Sequence, residues 1–224
     1  MKTKKLKNLV KKAKDELTWG VLEEDLPSVP LHIFSDSRIR VHTIFLPLGT
    51  PDECSDQDLH YLHELGHALL CERVHPFFSN CFPISGLDEK LLPAVSPVLN
   101  AAGDWFVGHW MMEFCRDAAI AELKKEYEAT AEMMAKGDPP DVDKFFVAVL
   151  IIAQAIKYLD MRVECTGFLD AAVQSFLAVT PEKPTVQKIE ELINRLLSLG
   201  APYRCRRVIG QGQDVMEFYR ASDT

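Results

Sequence analysis

The reading of this chain turns on Leu59-His60-Tyr61-Leu62-His63-Glu64-Leu65-Gly66-His67-Ala68-Leu69-Leu70-Cys71. The stretch is apolar nearly all round, the pattern of a helix in the middle of a domain. Ser55-Asp56-Gln57-Asp58 ahead of it offers a cap and an acidic first turn, so a helix is predicted from Asp56 to Val74. Two histidines four apart on a helix project from one face, about one turn apart, and both imidazoles of His63 and His67 can reach one tetrahedral Zn²⁺. Glu64 sits beside them, where its carboxylate can take a proton from a water that the metal has acidified. A metal would also satisfy side chains that are expensive to bury alone. Glycine inside a helix costs about 1 kcal/mol relative to alanine, so Gly66 predicts that another backbone or a ligand passes close. His60, on the preceding turn with neighbours in the acidic first turn, reads as a solvated residue and not a ligand.

Two histidines do not close a site. The metzincin continuation is absent, because Leu70 stands where it needs glycine and Arg73 where it needs a ligand. The next candidates lie in Val98 to Cys115, which is apolar except for Asn100, Asp104, His109 and Glu113. At 100° per residue Asn100 and Asp104 share one face of a helix, and His109 and Glu113 the opposite one. The second face continues into charged residues and reads as a solvated stripe. The first runs through Ala101, Gly108, Met111 and Cys115, where an acid needs a reason to be. Asp104 is therefore the leading third ligand, ahead of Glu113 and His109, with His75 and Glu89 behind.

Upstream, Leu6, Val10, Ala13 and Leu17 recur at helical spacing among lysines and predict an amphipathic helix over Lys4 to Leu17 that packs back on the domain with a solvated basic face. After Pro27 and Pro30, the runs Leu31 to Phe34 and Arg38 to Leu46 flank Ser35-Asp36-Ser37 and predict a hairpin, with Ile39, Val41, Thr43 and Phe45 on its buried face and Pro47 and Gly49 ending it. The four prolines between His75 and Pro97 predict loop, with a short turn at Leu87 to Leu92. Downstream, a long helix is expected over Val98 to Lys136, stopped by Gly137-Asp138-Pro139-Pro140. Further helices are expected over Val142 to Tyr158, over Val163 to Ala178, and from Pro184-Thr185 to a C-cap at Leu199-Gly200. The class is α+β, predominantly helical: five or six helices against one hairpin. A basic N-terminal helix (1–26), a central domain (27–200) and a C-terminal extension (201–224) are the expected parts.

The 224 residues are 47% hydrophobic and 26% charged, globular proportions for a chain able to build a core. A net charge of -8 argues against a surface built to hold nucleic acid. The longest apolar run, Phe145 to Ile156, is broken only by Gln154 and is short of the roughly 20 residues of a membrane span. Cysteines at 54, 71, 81, 115, 165 and 205 form no CxxC pair, and the lysines of Lys2 to Lys14 lead into no apolar signal segment, so reduced thiols in a cytoplasm are expected. Trp19, Trp105 and Trp110 read as core or interface anchors.

His63-Glu64-Leu65-Gly66-His67 resembles the motif of the zincin metallopeptidase superfamily. Together with Asn100-Ala101-Ala102-Gly103-Asp104, an N-x-A-x-D stretch on a following helix, it is similar to bacterial and phage metallopeptidase domains often found upstream of a VWA-like domain. The likeness covers mainly Arg38 to Glu113, about a third of the chain. It implies a zincin-like fold in which Asp104 completes the Zn²⁺ site and Asn100 supports it. The expected activity is hydrolysis of a peptide or protein substrate, with Glu64 as the base, the Arg38 to Phe45 strand as a substrate edge, and Tyr158, His109 or Arg162 as the oxyanion partner. The alternatives are a catalytically silent zinc scaffold, and a binding module that meets an anionic partner through Lys2 to Lys14 and Arg204, Arg206 and Arg207.

Overall fold

The protein was analysed as a computed structural model that describes residues 3–26, 31–47, 55–136 and 141–223. Helix α2 (Ser55–Arg73) is the element on which the rest is arranged, and its ends match the predicted ones to a residue. Helix α1 (Thr3–Asp15) packs against it, burying Leu6 and Ala13 and leaving Lys5, Lys7, Lys11 and Lys12 exposed, as expected. Strands β1 (Gly20–Leu26), β2 (His32–Asp36) and β3 (Val41–Pro47) form a sheet in the order β1-β3-β2. Strands β2 and β3 make the predicted antiparallel hairpin, with Ile33 opposite Ile44, and β1 adds to β3 in parallel. The link at 27–30, the Gly49 strand end and the Gly137–Pro140 helix stop fall outside the described residues.

Two expectations about this sheet are corrected. Asp36 belongs to β2, so the turn lies at 37–40, where Arg40 takes a left-handed φ of 54°. The buried face of β3 carries His42 and Ile44 rather than Val41, Thr43 and Phe45, and Ile39 is 67% exposed. A histidine reads as an outward residue in an alternating pattern, but the ring of His42 is fully satisfied inside. Its Nδ1 meets Ser35 Oγ at 2.8 Å, its Nε2 meets Glu72 Oε1 at 2.9 Å, and Trp19 stacks on it at 5.0 Å. Glu72 in turn accepts from the amides of Thr18 and Trp19 and from the Thr18 hydroxyl, pinning the start of the chain to α2. Strand β1, rich in Glu and Asp and mostly exposed, offers no alternation to read.

Beyond α2 the chain makes a 3₁₀ turn at Pro76–Phe78 and the short strand β4 (Ile84–Ser85). Helix α3 starts at Leu92, six residues before the predicted Val98, with Pro93 in its first turn where a proline needs no N–H partner and Pro97 within it. The expected single helix to Lys136 is two: α3 (Leu92–Phe114) and α4 (Arg116–Ala135), broken at Cys115 with φ -142° and ψ 47°. Helices α5 (Val142–Leu159), α6 (Gly167–Ala178) and α7 (Val186–Leu197) complete the helical layer. The Thr185 side chain caps α7, which ends before the Leu199-Gly200 pair. Helix α3 runs through the middle, packed by α2, α4, α5 and α7; Trp105 is fully buried there, donates to the Val179 carbonyl at 2.7 Å and meets Phe176 edge-on.

Residues 203–220 form a second hairpin, β5 (Tyr203–Gly210) and β6 (Gln213–Arg220), turned by Gln211 and Gly212, both at positive φ. Strand β4 adds to β6 in parallel, giving the order β4-β6-β5. The fold is thus α+β and predominantly helical, with seven helices and two small sheets among the described residues. No helix among the described residues is long and apolar enough to cross a membrane.

Candidate metal centre

Helix α2 turns His63 and His67 toward α3, and Asp104 of α3 meets them. His63 Nε2 lies 3.1 Å and His67 Nε2 3.0 Å from Asp104 Oδ1, and the two imidazole nitrogens are 3.3 Å apart. These three donors can hold one metal ion. The approach that lets them meet is set by glycines. A Cβ on Gly66 would stand 2.8 Å from Val107 and 2.9 Å from Trp110 of α3, so Gly66 marks the close passage that its cost in a helix predicted. Gly103 of α3 lies against the His67 ring.

The donor chemistry fits a cation. His67 is 3% exposed, and its Nδ1–H donates to the Phe78 carbonyl at 2.8 Å, which leaves Nε2 as a lone pair aimed at a carboxylate. Two acceptors at 3.0 Å need a proton or a metal between them. The neighbouring charges act on both partners. Burial alone would lower the His67 pKa, but the hydrogen bond and charge of Asp104, the charge of Glu64 and the Phe78 carbonyl raise it. Burial would raise the Asp104 carboxyl, but hydrogen bonds and charge from His63 and His67 hold it well below the usual carboxylate range.

Glu64 is 6% exposed beside the group. Its Oε2 accepts from the outward amide of Ile33 on β2 at 2.9 Å and from Asn80 Nδ2 at 2.7 Å. Its Oε1 faces His60 Nε2 at 3.6 Å. Burial works to raise the Glu64 carboxyl, but His60, His67, His63 and the Ile33 amide outweigh it and keep it below its ordinary value. His60 is half-exposed, as expected of a residue in that turn, yet it borders the centre, a contact that its i,i+4 relation to Glu64 could have signalled.

The other candidates lie elsewhere. Asn100 is exposed and faces a separate cavity on the far side of His67; the support it was expected to give comes from Asn80 and the Phe78 carbonyl, both in a loop the sequence left unread. His109 bonds Tyr158 at 3.0 Å and faces Glu113 at 3.6 Å, so that face of α3 is turned from the metal ligands and neither His109 nor Glu113 joins them. His75 pairs with Asp214, and Glu89 sits in a 3₁₀ turn outside the group. Arg162 is exposed, and the Arg38 to Phe45 strand is no free edge: β3 is the central strand and β2 is the edge that faces Glu64. Arg206 and Arg207 are engaged by Glu217 and Asp214.

A cavity of about 420 Å³ opens beside His63 and Asp104, giving the centre access from one side. Comparison with protein-family models, with curated proteins and with solved structures finds no match to this chain.

Proposed function

We propose that the chain is a zinc-dependent peptide-bond hydrolase of the zincin type, as the resemblance of His63-Glu64-Leu65-Gly66-His67 and Asn100 to Asp104 implies. The observation that carries the reading is the convergence of His63, His67 and Asp104 on one point, with a buried carboxylate, Glu64, alongside and a cavity on the open side. Two imidazoles and one carboxylate suit Zn²⁺ and leave a fourth position free, as catalytic zinc sites do. The ion would supply a Lewis acid that polarises a carbonyl and acidifies water.

The rest is the work of the chain. Phe78 fixes the His67 tautomer and ring orientation. Ile33 and Asn80 lock Glu64 Oε2, so Oε1 is the atom left to take a proton from the attacking water and return it to the leaving amine. His60, next to that oxygen, steadies the charge that the Glu64 carboxylate carries before the first transfer and regains after the second.

Metal analysis of the purified full chain tests this, with His67→Ala, Asp104→Ala and Glu64→Gln beside the wild type. The expected result is one equivalent of zinc in wild type and Glu64→Gln, loss in the other two, and peptide hydrolysis by the wild type alone. Zinc bound at those residues without hydrolysis of any peptide would favour the silent scaffold. No zinc, even after supplementation, would overturn the reading.

A further inference from the structure

The cavity beside His63 and Asp104 is bounded by α2, α3, α4 and α5 and walled by Met111, Met112, Leu150 and Ile151. Polar groups interrupt this lining in two places. Gln154 is the one polar residue in the apolar run of α5; it is 9% exposed, and its carboxamide has no hydrogen-bond partner among the described residues. It lies over Gly108, one helical turn past Asp104, where a Cβ would come within 2.3 Å of Gln154 Nε2. Glycine at 108 therefore makes room for the amide. Gln154 lines the cavity, so its amide is open to whatever fills that space while a leucine would give a ligand nothing to bond, and its place in the wall points to a ligand group that bonds it.

The second interruption is on α4, where Glu122 and Glu126, one turn apart, border the same cavity. Lys125 engages Glu122 at 3.4 Å, whereas Glu126 has no ion pair among the described residues. Asp104 at the inner end is committed to the metal centre, so the negative charge left to the cavity is that of Glu126, which joins the apolar walls and the acceptor oxygen of Gln154. An acidic side chain would be repelled there, and an apolar one would leave Gln154 unpaired.

We propose that this cavity receives a basic side chain, arginine or lysine, of a peptide held at the metal centre. The aliphatic stem lies along Met111, Met112, Leu150 and Ile151, and the cationic head is taken by Gln154 Oε1 and Glu126. Placement of the peptide at the metal rests on the hydrolase reading; the chemistry of the cavity does not.

Calorimetric titration of zinc-loaded Glu64→Gln full-length protein with blocked alanine pentapeptides tests this, the central residue being arginine, lysine, norleucine or glutamate. The alanine frame lets that residue find the cavity in any register. One of the basic peptides should bind about tenfold or more tightly than the norleucine peptide, with the glutamate peptide weakest. Gln154→Leu and the surface substitution Glu126→Gln should each cut that preference about threefold or more, with norleucine binding unchanged in Glu126→Gln and no weaker in Gln154→Leu. Equal or tighter binding of norleucine, a preference that survives both substitutions, or no binding of any peptide would overturn the assignment. Zinc-loaded wild type incubated with the same peptides separates the two readings. Basic peptides bound selectively yet never cut would sink the hydrolase and leave the cavity assignment standing, while cutting without basic preference would do the reverse.

Discussion

Replacing Gly66 by alanine inserts one methyl between α2 and α3. The added carbon would sit 2.8 Å from Val107 Cγ1 and 2.9 Å from Trp110 Cε3, about 1 Å short of ordinary carbon contact. Val107 is fully buried and cannot turn aside, so the helices must separate by part of that distance. Overpacking of this kind costs about 1–3 kcal/mol, and the better helix propensity of alanine returns about 1. The net expectation is a loss of about 1 kcal/mol, a fall of about 2–4 °C in Tm for a chain of this size. Metal binding should suffer more than stability, because His63 and His67 ride on one helix, Asp104 rides on the other, and ligand distances tolerate only a few tenths of an ångström. Zinc affinity should drop about tenfold or more. Gly200→Ala is the control, since nothing lies within 4 Å of a Cβ there, and it should gain about 0.4–1 kcal/mol. Urea titration and competitive zinc chelation on both variants provide the measurements. A Gly66→Ala protein as stable as the wild type, with unchanged zinc affinity, would refute the argument that this glycine sets the spacing of the site.

Further outcomes follow from the buried pair at the other end of α2. Glu72→Ala would leave His42, Thr18 and Trp19 without their acceptor and should cost about 3–5 kcal/mol in urea unfolding, while the folded fraction still binds one zinc; a loss under 1 kcal/mol would show the pair to be dispensable. The same pair makes the fold acid-sensitive. Burial lowers the His42 pKa from 6.5 despite Glu72, and the bonds from Thr18, Trp19 and His42 lower that of Glu72 from 4.5 despite burial. Both groups bind protons more readily when unfolded, so stability should hold above pH 6.5, begin to fall below it as His42 resists protonation, and fall further below pH 4.5. Urea midpoints that rise as pH drops through that window would contradict the sign. Among thiols, Cys81 is exposed, whereas burial pushes Cys71 up to about 12 and Cys115 to about 11 and also raises Cys205. In a Cys54→Ser background maleimide should label Cys81 first and these three only on unfolding, as read by mass spectrometry; early labelling of Cys71 would contradict the packing of α2 on the sheet.

The helices that carry the ligands were legible because local periodicity decides them. An apolar helix with His63, Glu64 and His67 on it, and an acid at 104 on the small-residue face of another, are statements about neighbours in sequence. What surrounds the ligands was not legible, because it is non-local. Asn80 and the Phe78 carbonyl reach Glu64 and His67 from a proline-rich loop with no periodicity to read. His42 inverts the face of β3 because Glu72, thirty residues away, satisfies its ring. The break at Cys115 carries no glycine or proline to announce it, since α4 is turned by packing against α5. The second hairpin did leave a local mark, Gly210-Gln211-Gly212 between apolar runs, in a segment assigned as an extension.

The pairing of β4 with β6 has a temporal meaning for a chain made from its N-terminus. Ile84 pairs with Met216, the Met216 amide bonds the Pro83 carbonyl, and Gly86 fits against Phe218 so closely that any Cβ would collide with its carbonyl. The loop that orients His67 and Glu64 is therefore tethered at its far end by residues translated long after the ligands themselves. A nascent chain holds the histidines and Asp104 well before it holds the strand that fixes their supports. Until β6 has paired with β4, the loop that supports the candidate centre lacks this tether.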